Sequence, residues 1–230
     1  MTAEDYAALA RQAPGVDVGR VEVLPRFKPR DRRFNVPGVV SVLALPDAPL
    51  GPAPNPRPDR PFIERLHAYL AARTPLATEL YVIGCEYIPL GLAVSVRVRE
   101  GFARDKVLYE VRESLRRLLW PLAPGGAAEE GWPLGRSVRE RELEVEVSRV
   151  AGVLEVRGLN LFTRNADNWQ LLPRNGGDGT QSLSLFDWQL PELLSVVAVD
   201  GLDVPTDLKA VANPFAQANA VAVPVVPEVC

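Results

Sequence analysis

Few residues in this chain have the types and spacing that catalysis needs. There is one histidine, His67, and both a Ser–His–Asp triad and most zinc sites would require it. No Gly-x-Ser-x-Gly elbow, Gly-x-Gly-x-x-Gly loop, Walker loop or Cys-x-x-Cys pair occurs. His67 falls on a helical stretch and reads as a surface residue. Cys85 has apolar, strand-forming neighbours and reads as a small core residue, and Cys230 as a free terminal thiol. Acidic groups are what remains. Glu129 and Glu130 sit in a glycine-rich loop, and Glu140, Glu142, Glu144 and Glu146 read as a solvated helix face. A glycosidase-type carboxylate pair has no local signature, so cleavage of cell wall or carbohydrate stays open as the alternative function. Asp167, Asp178 and Asp187 lack the spacing of a calcium loop. The expectation is no catalytic residue, no metal and no cofactor.

Two other groups could recognise a partner. Arg26, Lys28, Arg30, Arg32 and Arg33 form a basic run, which would suit nucleic acid or an acidic partner but reads first as a solvated loop. Trp120, Trp132, Trp169 and Trp188 all flank turns. Core packing is the first explanation of each, and partner contact the second, because tryptophan is enriched at interface centres.

Composition narrows the classes further. Of the 230 residues, 47% are hydrophobic and 24% charged, which fits a soluble globular protein. A net charge of −3 argues against binding nucleic acid through a general positive field. No apolar window is long enough to insert in a membrane, and Met1–Asp5 lacks a leader's basic and apolar regions, so a reducing, cytoplasmic setting is expected. The 22 prolines are the outlier, about twice ordinary usage.

The elements that must position these groups read as follows. Thr2 caps a short helix with Asp5 as its capping-box partner, and Pro14-Gly15 ends it. A strand follows from Val16 to Val23, with a bulge at Gly19-Arg20, and a second runs from Val39 to Leu45. Seven prolines between Pro46 and Pro61 predict an extended surface connection, and Pro61 opens a helix. Leu80, Val82 and Cys85 are strand-like. Leu90–Val98 alternates as a half-buried strand of an antiparallel sheet, wet on one face. Residues 104–120 carry a 3.6-period apolar stripe. Ser137–Glu140 fits a capping box for a helix that stops at Gly152, after which Val153–Val156 opens a strand. Asn175–Gly179 reads as a hairpin turn between Trp169–Leu172 and Ser182–Leu185, and Pro191–Val199 as a last strand. The apolar tail Ala218–Cys230 is expected to contact another chain. Helix, Pro14-Gly15-Val16, strand and helix, Ala151-Gly152-Val153, strand form a faint internal echo.

The order of these segments resembles the baseplate J-like family, the wedge proteins of contractile phage tails and contractile injection systems. Thr2–Tyr6 with Ala13–Val16, Pro37–Val42, Leu66–Tyr87 and Val94–Val98 carry the resemblance. So do the helix running to Trp120-Pro121-Leu122, the turn Gly131-Trp132-Pro133-Leu134-Gly135-Arg136 and Arg149–Val153. It covers roughly residues 2 to 200. What it implies is structural: no reaction, pairing with a longer J-like paralogue, contacts with further wedge or sheath-proximal subunits, and a six-fold ring around a central spike. Family members often carry a region ahead of the segment matching Thr2–Tyr6. The expectation is an α+β protein in three parts: residues 1–85, residues 86–160, and a C-terminal β and extended region, 161–230. The expected interface residues are Trp132, Pro133, Gly135, Arg136, Trp169 and Trp188. On this reading Trp132→Ala leaves a folded monomer that assembles poorly.

Overall fold

Thr2 sets the first helix as expected. Its hydroxyl accepts from the Asp5 amide at 3.2 Å, and the Asp5 carboxylate accepts from the Thr2 amide at 2.6 Å. The computed structural model describes residues 1–165, 168–175 and 179–208. Helix α1 (Ala3–Arg11) buries Tyr6 and Ala10. Gly15, at φ +70°, turns the chain into β1 (Val18–Pro25). The register of β1 slips between Val18 and Arg20, at the expected bulge. Strand β2 (Val39–Pro46) pairs antiparallel with β1. Its Val42 and Ala44 join the core beneath α1, while Leu43 and Leu45 join the main core. Burial on both faces explains why β2 is apolar without alternation.

The proline-rich stretch is more than a surface connection. Asn55 and Pro56 are buried. Asn55 donates its backbone amide to Glu192 at 3.0 Å and its side-chain amide to the Pro191 carbonyl at 3.2 Å. The Tyr87 hydroxyl donates to the Pro56 carbonyl at 2.8 Å, and Arg57 pairs with Glu192 at 2.6 Å. Proline has no amide to give but keeps its carbonyl, so this strap is fastened by side chains that reach into it. Asp59 then caps α2 (Arg60–Ala71), with Pro61 in the first turn, and β3 (Glu79–Ile83) runs parallel to β2. The first sheet has the order β1-β2-β3.

The remaining elements are β4 (Glu86–Val98), α3 (Arg104–Leu118), β5 (Val138–Arg139), α4 (Glu140–Ser148), β6 (Val153–Asn165), β7 (Asn168–Leu171), β8 (Arg174–Asn175), β9 (Thr180–Leu183) and β10 (Gln189–Asp200). The second sheet runs β10-β4-β6-β7. The chain is α+β, as expected, but these two sheets are mixed rather than antiparallel; a small third sheet, β5-β9-β8, is antiparallel. In each mixed sheet, the second strand has one antiparallel neighbour, β1 or β6, and one parallel neighbour, β3 or β10. The echo reappears here, since α4 passes through Gly152, at φ +92°, into β6 as α1 does through Gly15 into β1.

Three further expectations need correction. Strand β4 is not wet on one side: Ala93 and Ser95 are fully buried, Ala93 beneath Phe162, Val197 and Leu208. Its polar face looked solvated because the buried residues there are small, and the Ser95 hydroxyl is satisfied by the Gly201 carbonyl at 2.8 Å. The Ser137 capping box does not form. Buried Val138 pairs with Leu183 as strand β5, and α4 starts at Glu140 without a side-chain cap. Trp169–Leu171 pairs with β6, not β9; the hairpin is β8–β9, with Asn175 opposite Thr180. The amphipathic stripe of α3 lies as expected, with Val107, Leu108, Val111, Leu115 and Leu118 in the main core. The tail Ala218–Cys230, with Cys230, and Asp167 and Asp178 lie outside the described residues.

Candidate interaction surface

The Gly131–Arg136 turn is built around a buried ring. Trp132 is 0% exposed, with its amide bonded to the Trp120 carbonyl at 2.8 Å and its indole N–H to the Arg136 carbonyl at 3.0 Å. A ring enclosed by its own subunit presents no face to a partner, which counts against its expected place as a contact residue. Gly131, at φ +91°, would bring a side chain to 2.3 Å from the Pro121 carbonyl oxygen, so only glycine fits there. Arg20, on the bulge of β1, donates to the carbonyls of Pro121 (2.8 Å) and Trp132 (2.6 Å). One guanidinium thus fastens the first sheet to this turn. Pro133 and Arg136 are exposed, and Arg136 lies over the Trp132 ring at 5.2 Å while pairing with Glu142 at 2.6 Å.

Gly135 links the turn to the chain ahead of β10. Its amide donates to the Gln189 carbonyl at 3.0 Å, and a side chain there would lie 2.7 Å from the Asp187 Cα. The loop it supports carries Trp188, which stacks on Phe27 at 5.1 Å and on Phe186 at 4.9 Å. Phe27 also meets Phe34 at 4.6 Å. Four aromatics therefore form a row, Phe34–Phe27–Trp188–Phe186. Phe34, half-buried, also lies 6.0 Å from Trp188; Phe27 is 1% exposed, and the row ends in solvent with Phe186 62% exposed. Trp169 is half-buried elsewhere, in β7, close against Gly91 and away from this row.

The basic run shares its loop with Phe27 and Phe34 of the row. Lys28 bridges back to Arg33 through the backbone, and three non-glycine residues, Arg26, Arg32 and Asn35, hold left-handed φ of +61°, +48° and +65°. Each costs conformational energy that surrounding structure must offset. Glu86 joins loop to row: it accepts the Trp188 indole N–H at 3.0 Å and pairs with Arg32 at 3.3 Å. Lys28 reaches Glu79 at 3.8 Å. Arg26, Arg30 and Arg33 are exposed, and among the described residues they have no ion-pair partner. The run itself was legible in sequence. Its junction with Phe186 and Trp188, more than 150 residues away, was not. The paired spacings Phe27…Phe34 and Phe186-x-Trp188 were the only available hint.

The other candidate chemistry is spoken for. Glu140, read as solvated, is 5% exposed; one Arg174 nitrogen lies 2.8 Å from both its oxygens, and the Gln181 amide donates to it at 2.6 Å. Burial, and then the charge of Glu140, pushes the Glu144 carboxyl above its usual range. Burial pushes the Cys85 thiol up to about 11, so it is protonated and unreactive near neutrality. His67 is exposed, as expected. A groove of about 430 Å³ lies between α3 and α4, floored by Phe102, Val107 and Val150. The carboxylates that line it include Glu113, paired with Arg116, and Glu146, held by Ser114 at 2.7 Å and Arg149 at 3.5 Å. Among the described residues no cluster of three or more His, Cys, Asp or Glu side chains could hold a metal ion, and no helix is long and apolar enough to cross a membrane.

No family model and no curated protein matches the sequence. Among solved structures, the chain is similar to a chain of the anti-feeding prophage (AFP) baseplate, determined by cryo-EM with 6-fold symmetry imposed. The TM-score is 0.54 at 16% identity, over 83% of this chain and 37% of that one. The fold is that of a prophage baseplate chain. At that identity the similarity is one of architecture.

Proposed function

We propose that this protein is a structural subunit of a baseplate, a wedge component of a contractile injection system or phage tail-like particle. In this reading it assembles in the cytoplasm, pairs with a longer J-like paralogue and joins a six-fold ring around the central spike. The observation that carries the proposal is the fold likeness to an AFP baseplate chain. The order of sequence segments supports it independently, through Thr2–Tyr6, Gly131–Arg136 and Arg149–Val153. The matched chain is longer, and this chain spans 37% of it. The role asks for neighbours rather than turnover, and for no cofactor, nucleic acid or membrane insertion. Further wedge and sheath-proximal proteins are its proposed partners. The groove carboxylates Glu113 and Glu146, held by arginine and serine, give no specific support to carbohydrate cleavage.

The test is co-expression with the adjacent genes, followed by native mass measurement and particle imaging. The expected result is the chain inside a six-fold ring with at least one larger partner. A chain that stays solitary among those proteins, or that hydrolyses a cell-wall substrate, would overturn the reading.

A further inference from the structure

We propose that the aromatic row and the exposed arginines of the adjoining Arg26–Phe34 loop form a docking site for an acidic segment of another protein subunit, with an apolar side chain of that segment seated on Phe186. The proposal rests on the baseplate reading for its setting but on the local geometry for its chemistry. The row is stacked through most of its length: Phe27 is covered by Phe34 and Trp188, and Trp188 by Phe27 and Phe186. One ring end remains open, that of Phe186, 62% exposed. Interface centres use such an aromatic anchor on a rigid base, with arginine nearby. The base is rigid because Gly135 seats the loop against Asp187 and Gln189, and Glu86 holds the Trp188 indole.

Charge selects the occupant. Arg26 and Arg33 are the chain neighbours of Phe27 and Phe34, and Arg30 lies between them in the same exposed loop. All three lack ion-pair partners among the described residues, in a chain whose net charge is −3. Arg26, Arg30 and Arg33 outnumber the exposed Asp31 and Asp187 of the same two loops, and that surplus is complementary to carboxylates. The stacking argues against nucleic acid, whose unpaired bases need several open aromatic faces, where only Phe186 of the four rings is exposed and Phe34 and Trp188 are half-buried.

The test uses the full chain and a fluorescein-labelled peptide of aspartate and glutamate around a central phenylalanine, read by anisotropy. The peptide should bind, with affinity falling as salt rises. Phe186→Ala should weaken it by about ten-fold, the scale of a lost anchor. The triple variant Arg26→Glu, Arg30→Glu, Arg33→Glu should abolish it, with an unchanged circular dichroism spectrum in both variants. Absence of peptide binding, binding unaffected by either variant, or tighter binding of an oligothymidylate would each overturn the site. Incorporation into co-expressed particles is measured in parallel. Wild-type chain that binds the peptide but never enters a particle leaves the site standing and removes the baseplate reading. Wild-type chain that enters particles as well as both variants do leaves that reading standing and removes the site.

Discussion

The turn Gly131–Arg136 and the loop Phe186–Trp188 touch each other through Gly135, yet one closes over its tryptophan and the other ends in solvent. Both hold a tryptophan next to a turn, which is why both read as contact candidates in sequence. The difference lies in what the neighbouring backbone permits. Around Trp132 the chain passes so close that Gly131 tolerates no side chain, and Arg20 fills the gap between two carbonyls. Around Trp188 the neighbours are other rings, stacked outward until the last has no cover. Density of glycine and proline marks close packing of a chain on itself, whereas a partner surface is collected from distant segments.

The strongest way to break this comparison is Trp132→Ala. Removing a fully buried indole should cost about 3–5 kcal/mol in denaturant unfolding. If stability fell by less than about 1 kcal/mol while assembly collapsed, Trp132 would be a contact residue after all. Next in size is Arg20→Met, which keeps an apolar stem and strands two carbonyl acceptors. A loss of about 1–3 kcal/mol is expected. Hydrogen exchange should quicken in β1 and in the Trp132 turn together, since Arg20 is the contact they share. Faster exchange in one alone would mean that the two regions are held by something else.

What could be seen without coordinates follows the range of the forces involved. Helices α1 and α3 were legible because capping and the 3.6-residue stripe are local. The β1 bulge was legible for the same reason. The parallel neighbours were not: β10 meets β4 after about a hundred intervening residues, and nothing in Pro191–Val199 specifies that partner. The false capping box is instructive, because Ser137 and Glu140 have the right spacing but Glu140 is taken by Arg174. A buried ion pair from another segment outcompetes a local surface bond. In the interaction surface, the basic run and Trp188 were visible singly. Phe27, Phe34 and Phe186 were not singled out, because only tertiary contact makes them a row.

Gly135→Ala sharpens the comparison at its joint. Its left-handed φ of +72° should cost about 1–2 kcal/mol for any side chain. Gly15→Ala, at φ +70° with nothing within 4 Å, carries the same backbone cost without the close approach. The difference between the two melting shifts therefore isolates the contact with Asp187. Gly135→Ala should be the more damaging and should also weaken peptide binding, while Gly15→Ala should leave binding alone. Equal shifts would show that the turn does not position the loop.

The smallest effect is the most telling. Phe186→Ala should change stability by no more than about 0.5 kcal/mol, because a ring 62% exposed leaves little buried area to lose and no cavity behind it. Its stacking on Trp188 at 4.9 Å contributes on one side only, and Trp188 keeps Phe27 and the Glu86 bond when that contact is gone. Thermal unfolding with peptide binding measured on the same sample separates the roles. A stable variant that binds about ten-fold more weakly places Phe186 at a surface meant for another molecule. A variant that loses more than about 1 kcal/mol makes the row a piece of core, and the contrast between the two tryptophan turns would then be one of degree.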